Sequence, residues 1–252
     1  MPATPAARVV GIVACSAEGS ALCYRTICTE GARRLGGHGH PELVMHGHSL
    51  ADYVACLDRN DLAGVAELML SSAHKLAAAG AQLLICPDNT IHQALPLLNG
   101  RSPLPWLHIA EEVADAAVQR GFRRLALTGT RWLVDSAVYP DALAARGLVC
   151  VKPTPEDRDA INRVIMDELV HGRCSAAGVQ TFQQVIGRLQ QQGCDAVVLG
   201  CTEIPLIIDD GTSPLPILDS TRLLARAALR WAIEGVAAAT ALVGTASPPS
   251  GA

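Results

Sequence analysis

The sequence predicts an α/β protein of two pseudo-symmetric lobes, each a parallel sheet flanked by helices, with a candidate active site in the cleft between them. Short apolar strands alternate with helical segments along the chain, a pattern typical of parallel sheets. Two of these strands, about half the chain apart, also end alike. Residues 81–86 lead to Asp88 and Thr90, and residues 195–200 lead to Cys201 and Thr202. This internal repeat indicates two similar lobes that face each other.

Each element has its own signal. Continuous apolar runs predict buried strands at 8–15, 42–46, 82–86, 124–128, 148–151, 196–200 and 214–218. Helices are predicted at 21–35, 62–76, 110–120, 134–146, 157–171, 175–192 and 219–234, with Asp61 and Asp219 as N-caps. We assign residues 1–104 plus 205–236 to the first lobe and 105–204 to the second. The small, polar segment 237–252 is predicted to be a disordered tail.

Composition and charge favour a small-molecule partner. Half of the 252 residues are apolar and the formal net charge is −4, so nothing indicates a nucleic-acid partner. No stretch approaches the roughly 18 apolar residues of a membrane span, and no secretory leader precedes the first strand. Nine cysteines without a Cys-x-x-Cys pair indicate reduced thiols, and the histidine-containing run 37–41 is interpreted as a polar loop, not a metal site. We expect a soluble, cytoplasmic protein.

Small polar side chains follow four of the predicted strands. In open parallel sheets, ligands bind beyond the carboxyl ends of the strands. Hydroxyls and the backbone amides at helix starts bind carboxylates. The sequence therefore predicts a site for a carboxylate-bearing small molecule, lined by Ser16, Asp88, Asn89, Thr90, Thr130, Cys201 and Thr202.

Asp88 and Cys201 are the candidate acid/base groups. Removing a proton from a carbon next to a carboxylate, and returning one to the opposite face, needs one group on each side. Groups on two opposed lobes meet that demand. Burial is expected to raise the pKa of Asp88, and a helix start is expected to stabilise the thiolate of Cys201. This chemistry needs neither a cofactor nor a metal.

Two stretches carry a resemblance to a known family. Residues 200–205, Gly-Cys-Thr-Glu-Ile-Pro, and residues 89–92, Asn-Thr-Ile-His, resemble the aspartate/glutamate racemase superfamily, and the similarity covers nearly the whole chain. The resemblance implies two α/β lobes, no pyridoxal phosphate and two facing residues that invert an amino-acid α-carbon. It implies a catalytic role for Cys201, and Ser16 and Thr130 match positions that hold the substrate's carboxylate or amino group. It also implies a possible homodimer.

The chain departs from this family at Asp88, where the first catalytic cysteine normally precedes the Asn-Thr pair. Arylmalonate decarboxylases of the same superfamily keep only the second cysteine. Asp88 is interpreted either as a base or as an N-cap of the next helix, which would leave Cys201 as the only acid. Cys86 could replace the missing thiol only if its strand bulges, and buried free cysteines are usually packing residues.

The leading prediction is a cofactor-independent amino-acid racemase, aspartate/glutamate racemase-like, with Cys201 and Asp88 as the opposed pair. A decarboxylase of a malonate-like acid and a non-catalytic small-molecule binding protein stay open as alternatives. The hydroxyls of Ser16 and Thr130 could also cap their own helices. His92 and His108 match family positions and are expected to support the site without reacting. No arginine or lysine lies between residues 35 and 58, so a reader for an acidic side chain is not evident.

Overall fold

The computed structural model describes residues 7–235, so the predicted tail at 237–252 lies outside the described residues. The strands are β1 (Val10–Ala14), β2 (Leu43–Gly47), β3 (Leu83–Ile85), β4 (Arg124–Thr128), β5 (Val149–Val151), β6 (Ala196–Leu199) and β7 (Ile217–Asp219). The α-helices are α1 (Ala17–Leu35), α2 (Leu50–Asp58), α3 (Leu62–Ala78), α4 (Ile109–Gln119), α5 (Arg131–Asp135), α6 (Val138–Ala144), α7 (Pro155–Asp167), α8 (Ala176–Gln191) and α9 (Ser220–Glu234). Short 3₁₀ helices cover Thr90–Leu98, Leu169–His171 and Ile204–Leu206.

The two sheets repeat one strand order. Within residues 7–235 the first sheet has the order β2-β1-β3 and the second β5-β4-β6-β7, and every neighbouring pair is parallel. The prediction of two similar α/β lobes is therefore confirmed, with β1, β2 and β3 in the positions of β4, β5 and β6. In each sheet the order of the strands reverses beside one inner strand, β1 in the first sheet and β4 in the second. This reversal opens a crevice at the carboxyl end of that strand.

The last two elements of the described chain, β7 and α9, contact different lobes. Helix α9 packs against α1 of the first lobe, whereas α4 packs against α6 of the second. The sequence assigned 205–236 to the first lobe, and the structure differs at β7, which pairs with β6 so that Val198 lies opposite Leu218. The reason is a ladder bond from the backbone N–H of Val197 to the carbonyl of Pro216 at 2.9 Å, which extends the second sheet.

Local sequence signals placed most helix starts and missed one helix. Asp61 and Asp219 cap α3 and α9 as predicted, by accepting from the backbone N–H groups of Gly64 and Arg222. Helix α1 begins at Ala17, four residues before the predicted start. The predicted helix 134–146 is broken between α5 and α6, and α2 lies in a stretch with no predicted helix. With nine residues, α2 is too short for periodicity alone to reveal it.

Both faces of each sheet are buried, which explains why the strands read as continuous apolar runs. Along β1, Ile12 packs on the side of α9 with Leu224, and Val13 packs on the side of α3 with Met69. The second sheet is covered in the same way by α4 and α6 on one face and by α7 and α8 on the other. Rigid packing on both faces holds the strand ends, and hence the loops that follow them, in fixed positions.

None of the helices formed by residues 7–235 is long and apolar enough to cross a membrane. All nine cysteines are free thiols, and most of them are buried.

Candidate active site

A cavity lies between the lobes at the carboxyl ends of β1, β3, β4 and β6. Both lobes contribute to it in equivalent ways, because Ser16 follows β1 as Thr130 follows β4, and Asp88 follows β3 as Cys201 follows β6. The structure thus brings together six of the seven predicted site residues around one cavity: Ser16, Asp88, Asn89, Thr90, Thr130 and Cys201.

Asp88 is both a cap and a lining residue of the cavity. Its Oδ1 accepts a hydrogen bond of 3.1 Å from the backbone N–H of Ile91, so the capping interaction anticipated from sequence is present. The carboxylate is nevertheless partly exposed to the cavity. Burial raises the pKa of Asp88 above its ordinary value, and the charge of Glu203 raises it further, while the hydrogen bond from Ile91 opposes the shift. Capping therefore fixes the orientation of the carboxyl group without removing it from the cavity.

Cys15 is a thiol beside Asp88 that the sequence did not single out as a site residue. It follows β1 and lines the same cavity as Asp88. Burial raises the pKa of the Cys15 thiol well above its ordinary value, and the negative charge of Asp88 adds to the shift. Cys15 is therefore a neutral hydrogen-bond donor next to Asp88 at physiological pH.

Cys201 forms a buried pair with Glu203. The thiol donates to Oε2 of Glu203 over 3.0 Å, and the hydroxyl of Thr202 donates to the same oxygen over 2.9 Å. Burial first, and the charge of Glu203 second, raise the pKa of Cys201 well above its ordinary value. The expected stabilisation of a thiolate by a helix start is thus overridden, because only the short 3₁₀ helix Ile204–Leu206 follows. Cys201 is a protonated thiol in the resting site.

Thr202 is the predicted site residue that does not line this cavity. Its Oγ1 lies 3.2 Å from Oγ of Ser16 and bonds to Glu203, so its side chain positions those two groups. Gly19 makes this approach possible. A Cβ at Gly19 would lie 2.7 Å from both the carbonyl oxygen of Pro87 and Cβ of Thr202. The first turn of α1 is therefore wedged between the loop that carries Asp88 and the loop that carries Cys201.

The amide of Asn89 is held by other side chains. Tyr139 donates to its Oδ1 over 2.7 Å, and its Nδ2 donates to Oγ of Ser220 over 3.0 Å. Ser220 in turn donates to the carbonyl of Leu199. This buried chain fixes Asn89 across both lobes, and its contact with substrate stays a prediction.

Three hydroxyls border the cavity. Oγ1 of Thr90 lies 3.2 Å from Oγ1 of Thr130, across the cleft between the lobes. Ser16 and Thr130 also cap α1 and α5 by accepting from Gly19 and Leu133 at 3.3 and 3.4 Å. Capping and lining therefore coexist at these positions. Fixed rotamers make the hydroxyls preorganised donors for an anionic ligand.

His92 and His108 do not line the cavity. Nδ1 of His92 lies 2.6 Å from the carbonyl oxygen of Asp88, and the backbone N–H of Ile109 donates to Nε2. Burial lowers the pKa of His92 to about 3 and that of His108 to about 4, so both rings are neutral. The proton on Nδ1 follows from these partners, since a carbonyl only accepts. His92 therefore supports the backbone of Asp88, as expected from the sequence.

A neutral, buried His92 predicts acid sensitivity. Its folded-state pKa of about 3 lies below the unfolded value of roughly 6.5, so its stabilisation is complete above that value and is lost as pH falls towards 3. Between pH 8 and pH 5 the loss is about 2 kcal/mol in the free energy of unfolding. Urea denaturation of the native protein and of His92→Gln should show their stability difference change by that amount. An equal difference at both pH values would contradict the assignment.

Cys86, His46 and His48 do not line the cavity. Cys86 is fully buried in the core of the first lobe beside Met69, which matches a packing residue. His46 lies 3.0 Å from Oγ of Ser72, and His48 lies 3.1 Å from Oγ of Ser71. Among residues 7–235, no group of three or more histidine, cysteine, aspartate or glutamate side chains is placed to hold a metal ion.

Glu203 is the main contributor that sequence reasoning did not select. The Cys-Thr-Glu motif contained it, but motif spacing does not reveal that its carboxylate turns back to the thiol two residues earlier. Its side chain is only 5% exposed, and a buried carboxylate close to a thiol is an unusual environment.

Similar proteins share this architecture. The family model described as Asp/Glu/Hydantoin racemase matches residues 12–228. The broad-specificity amino-acid racemase RacX of Bacillus subtilis is 26% identical over 160 residues, which cover 63% of this chain and 68% of that protein. A solved structure from Yersinia pestis, described as a putative Asp/Glu racemase, is 28% identical with a TM-score of 0.83, and the match covers 90% of this chain and all of that one.

A second structure supports the fold. An aspartate racemase homologue from Pyrococcus horikoshii superposes with a TM-score of 0.78 at 24% identity, over 90% of this chain and 99% of that one. The family match spans most of the sequence and includes Asp88, Cys201 and Glu203. These matches identify an isomerase that acts on amino acids, and the chain belongs to the Asp/Glu/hydantoin racemase family.

Proposed function

We propose that this protein inverts the α-carbon of an amino acid by moving protons between Asp88 and Cys201, with no cofactor. The observation that carries the proposal is the placement of these two groups at equivalent strand ends of opposed lobes, around one cavity. Two groups on opposite sides of a substrate carbon are what proton removal from one face and delivery to the other require. The nine free thiols suit a reducing compartment, and we place the reaction in the cytoplasm.

The proton transfer balances within the site. The Asp88 carboxylate removes the α-proton, the electrons of the C–H bond enter the substrate carboxylate as an enediolate, and the Cys201 thiol delivers its proton to the opposite face. The site then holds a protonated Asp88 and a thiolate. That form runs the reverse reaction, in which the thiolate removes the proton and Asp88 donates. The raised pKa of Asp88 makes it a stronger base than an ordinary aspartate.

Neutral donors are suited to hold the substrate carboxylate. Thr90, Thr130 and Ser16 present hydroxyls fixed by their own hydrogen bonds. An enediolate carries more charge on its oxygens than the starting carboxylate, so donors already in place stabilise it without rearrangement. These residues therefore serve binding and transition-state stabilisation together.

Glu203 adjusts the acid strength of Cys201. Its negative charge opposes ionisation of the thiol, and a thiol with a high pKa yields a thiolate that is a stronger base. An α-proton is only weakly acidic, so a stronger base lowers the barrier to its removal. The Thr202 hydroxyl holds the Glu203 carboxylate in register with the thiol.

Replacing this charge should change the thiol directly. In Glu203→Gln the pKa of Cys201 is expected to fall, so that alkylation of Cys201 at pH 8 becomes about tenfold faster while racemisation slows. Peptide mass spectrometry after timed iodoacetamide treatment isolates Cys201 from the other thiols. Thr202→Val, which removes the hydroxyl and keeps the charge, should alter alkylation much less. Unchanged or slower alkylation in Glu203→Gln would contradict the role.

Proton NMR in deuterium oxide tests the activity. Each enantiomer of a panel of amino acids is incubated with the purified protein, and the α-proton signal is followed together with optical rotation. Loss of the signal from both enantiomers, with the appearance of the opposite one, is the expected result. Absence of exchange from every amino acid that binds would refute the racemase.

A second candidate is decarboxylation of a malonate-like acid, in which Cys201 alone protonates the enediolate. The hydrogen bond between Ile91 and Asp88 favours it, because a carboxylate engaged as a cap is a poorer base. Carbon dioxide release from malonates, without α-proton exchange from amino acids, would select this reaction.

A further inference from the structure

We propose that the substrate's side chain is apolar and uncharged, and that α2 together with the end of α7 and the turn after it selects it. The inference rests on the proposed function for the identity of the reacting groups. The inference goes beyond the proposed function because it names the class of substrate. Three features of the cavity carry it: its walls, its exposed rim and its charges.

Both lobes contribute apolar walls. Leu50, Val54 and Leu57 of α2 lie three to seven residues apart, so they share one helix face, and that face lines the cavity. From the second lobe, Met166 and Val170 line the opposite side. These side chains and the strand ends that carry the acid/base groups line the same cavity. A substrate bound at its carboxylate by the hydroxyls would direct its side chain between these walls.

Two of the wall residues are left unusually open. Leu50 is 40% exposed and Val170 is 37% exposed, and they belong to different lobes. Exposed leucine and valine side chains that face the same cavity leave apolar surface in contact with water. A ligand side chain placed between them would cover both, which makes binding of an apolar group favourable.

The charges in the cavity disfavour an acidic side chain. Within the described chain the only charged residues that line it are Asp88 and Glu203, both acidic, and no lysine, arginine or histidine lines it. A substrate carboxylate between the apolar walls would have no cation to pair with. Burying an unpaired carboxylate is costly, and two nearby acidic groups add repulsion. Aspartate and glutamate are therefore expected to be poor substrates.

The first experiment compares ligands on the native protein. The value of kcat/KM for α-proton exchange is measured for leucine, methionine, aspartate and glutamate, and binding of the same compounds is measured by calorimetry. Leucine or methionine should exceed aspartate by at least about a hundredfold in kcat/KM, and should bind more tightly. Equal or better exchange and binding of aspartate would overturn the apolar specificity while leaving the racemase intact.

The second experiment alters the wall. Leu50→Lys introduces a cation at an exposed position, and is expected to lower the ratio of leucine to aspartate affinity at least tenfold. Leu50→Ala should weaken leucine binding more than alanine binding. The matched control is Leu97→Ala, since Leu97 is 45% exposed and lies outside this cavity. Identical ligand preference in all three variants would overturn the proposal.

Binding measurements distinguish a failure of the apolar specificity from a failure of the racemase activity. If leucine binds more tightly than aspartate and Leu50→Lys lowers that preference at least tenfold, while no amino acid exchanges its α-proton, the specificity stands and the racemase fails. If exchange occurs and the order of substrates is unaffected by Leu50, the racemase stands and the specificity fails.

Discussion

Cys201→Ala is expected to reduce racemisation at least about a thousandfold, because it removes the thiol proposed to donate the proton from the second lobe's side of the cavity. The fold should tolerate the change, since the thiol's one side-chain hydrogen bond goes to Glu203, whose carboxylate keeps the bond from Thr202. The rate is measured by optical rotation with a substrate that the native protein interconverts.

The loss of α-proton exchange in Cys201→Ala should be confined to one enantiomer. With Asp88 intact, the enantiomer whose α-proton faces Asp88 should still exchange with deuterium oxide, because removal and return at that face do not need the thiol. Inversion should disappear in both directions, and the other enantiomer should not exchange its α-proton. Cys174→Ala is the control, since Cys174 is an exposed thiol that does not line the cavity and its variant should match the native rate. Retention of both inversions in Cys201→Ala would exclude Cys201 as an acid.

Strand position could be predicted from sequence because the signal is local. Residues 8–15 and 196–200 are apolar on both faces, and only a strand covered on both faces needs such a run. The near-repeat at Asp88 and Cys201 then implied two lobes, since parallel strands present their ends at one rim. The identities of six cavity residues followed from these two facts.

The features that could not be predicted from the sequence depend on contacts between residues distant in the chain, or on the direction in which a side chain turns. The turn of Glu203 towards Cys201 rests on the bond from Thr202 and on α1 wedging at Gly19, neither of which leaves a periodic pattern. The pairing of β7 with β6 is a tertiary choice, because a three-residue strand after a proline fits either sheet. Helix α2 is stabilised by packing of Tyr53 and Cys56 into the core of the first lobe more than by its own propensity.

The carboxylate at position 88, where the resemblance noted in the sequence implies a cysteine, gives the second large prediction. Asp88→Asn keeps an oxygen to accept from Ile91 and is as good a cap as aspartate, but an amide cannot take a proton. If Asp88 is a base, racemisation should fall by about a hundredfold to a thousandfold while the free energy of unfolding changes by less than about 1 kcal/mol. If Asp88 is only a cap, the rate should be unchanged. Optical rotation and urea denaturation of one variant therefore separate the two interpretations.

Asp88→Cys completes the test from the other direction, by placing a thiol at the position where the resemblance implies one. A thiol there can transfer the proton, so activity should return to within about tenfold of the native rate, in contrast to Asp88→Asn. The pH dependence should shift as well. The Asp88 carboxylate has a pKa raised only by burial and by Glu203, whereas a thiol in the same surroundings ionises at higher pH. The rising limb of kcat/KM should therefore move to higher pH in Asp88→Cys, and an unmoved limb would mean that the group at position 88 is not the base that sets it.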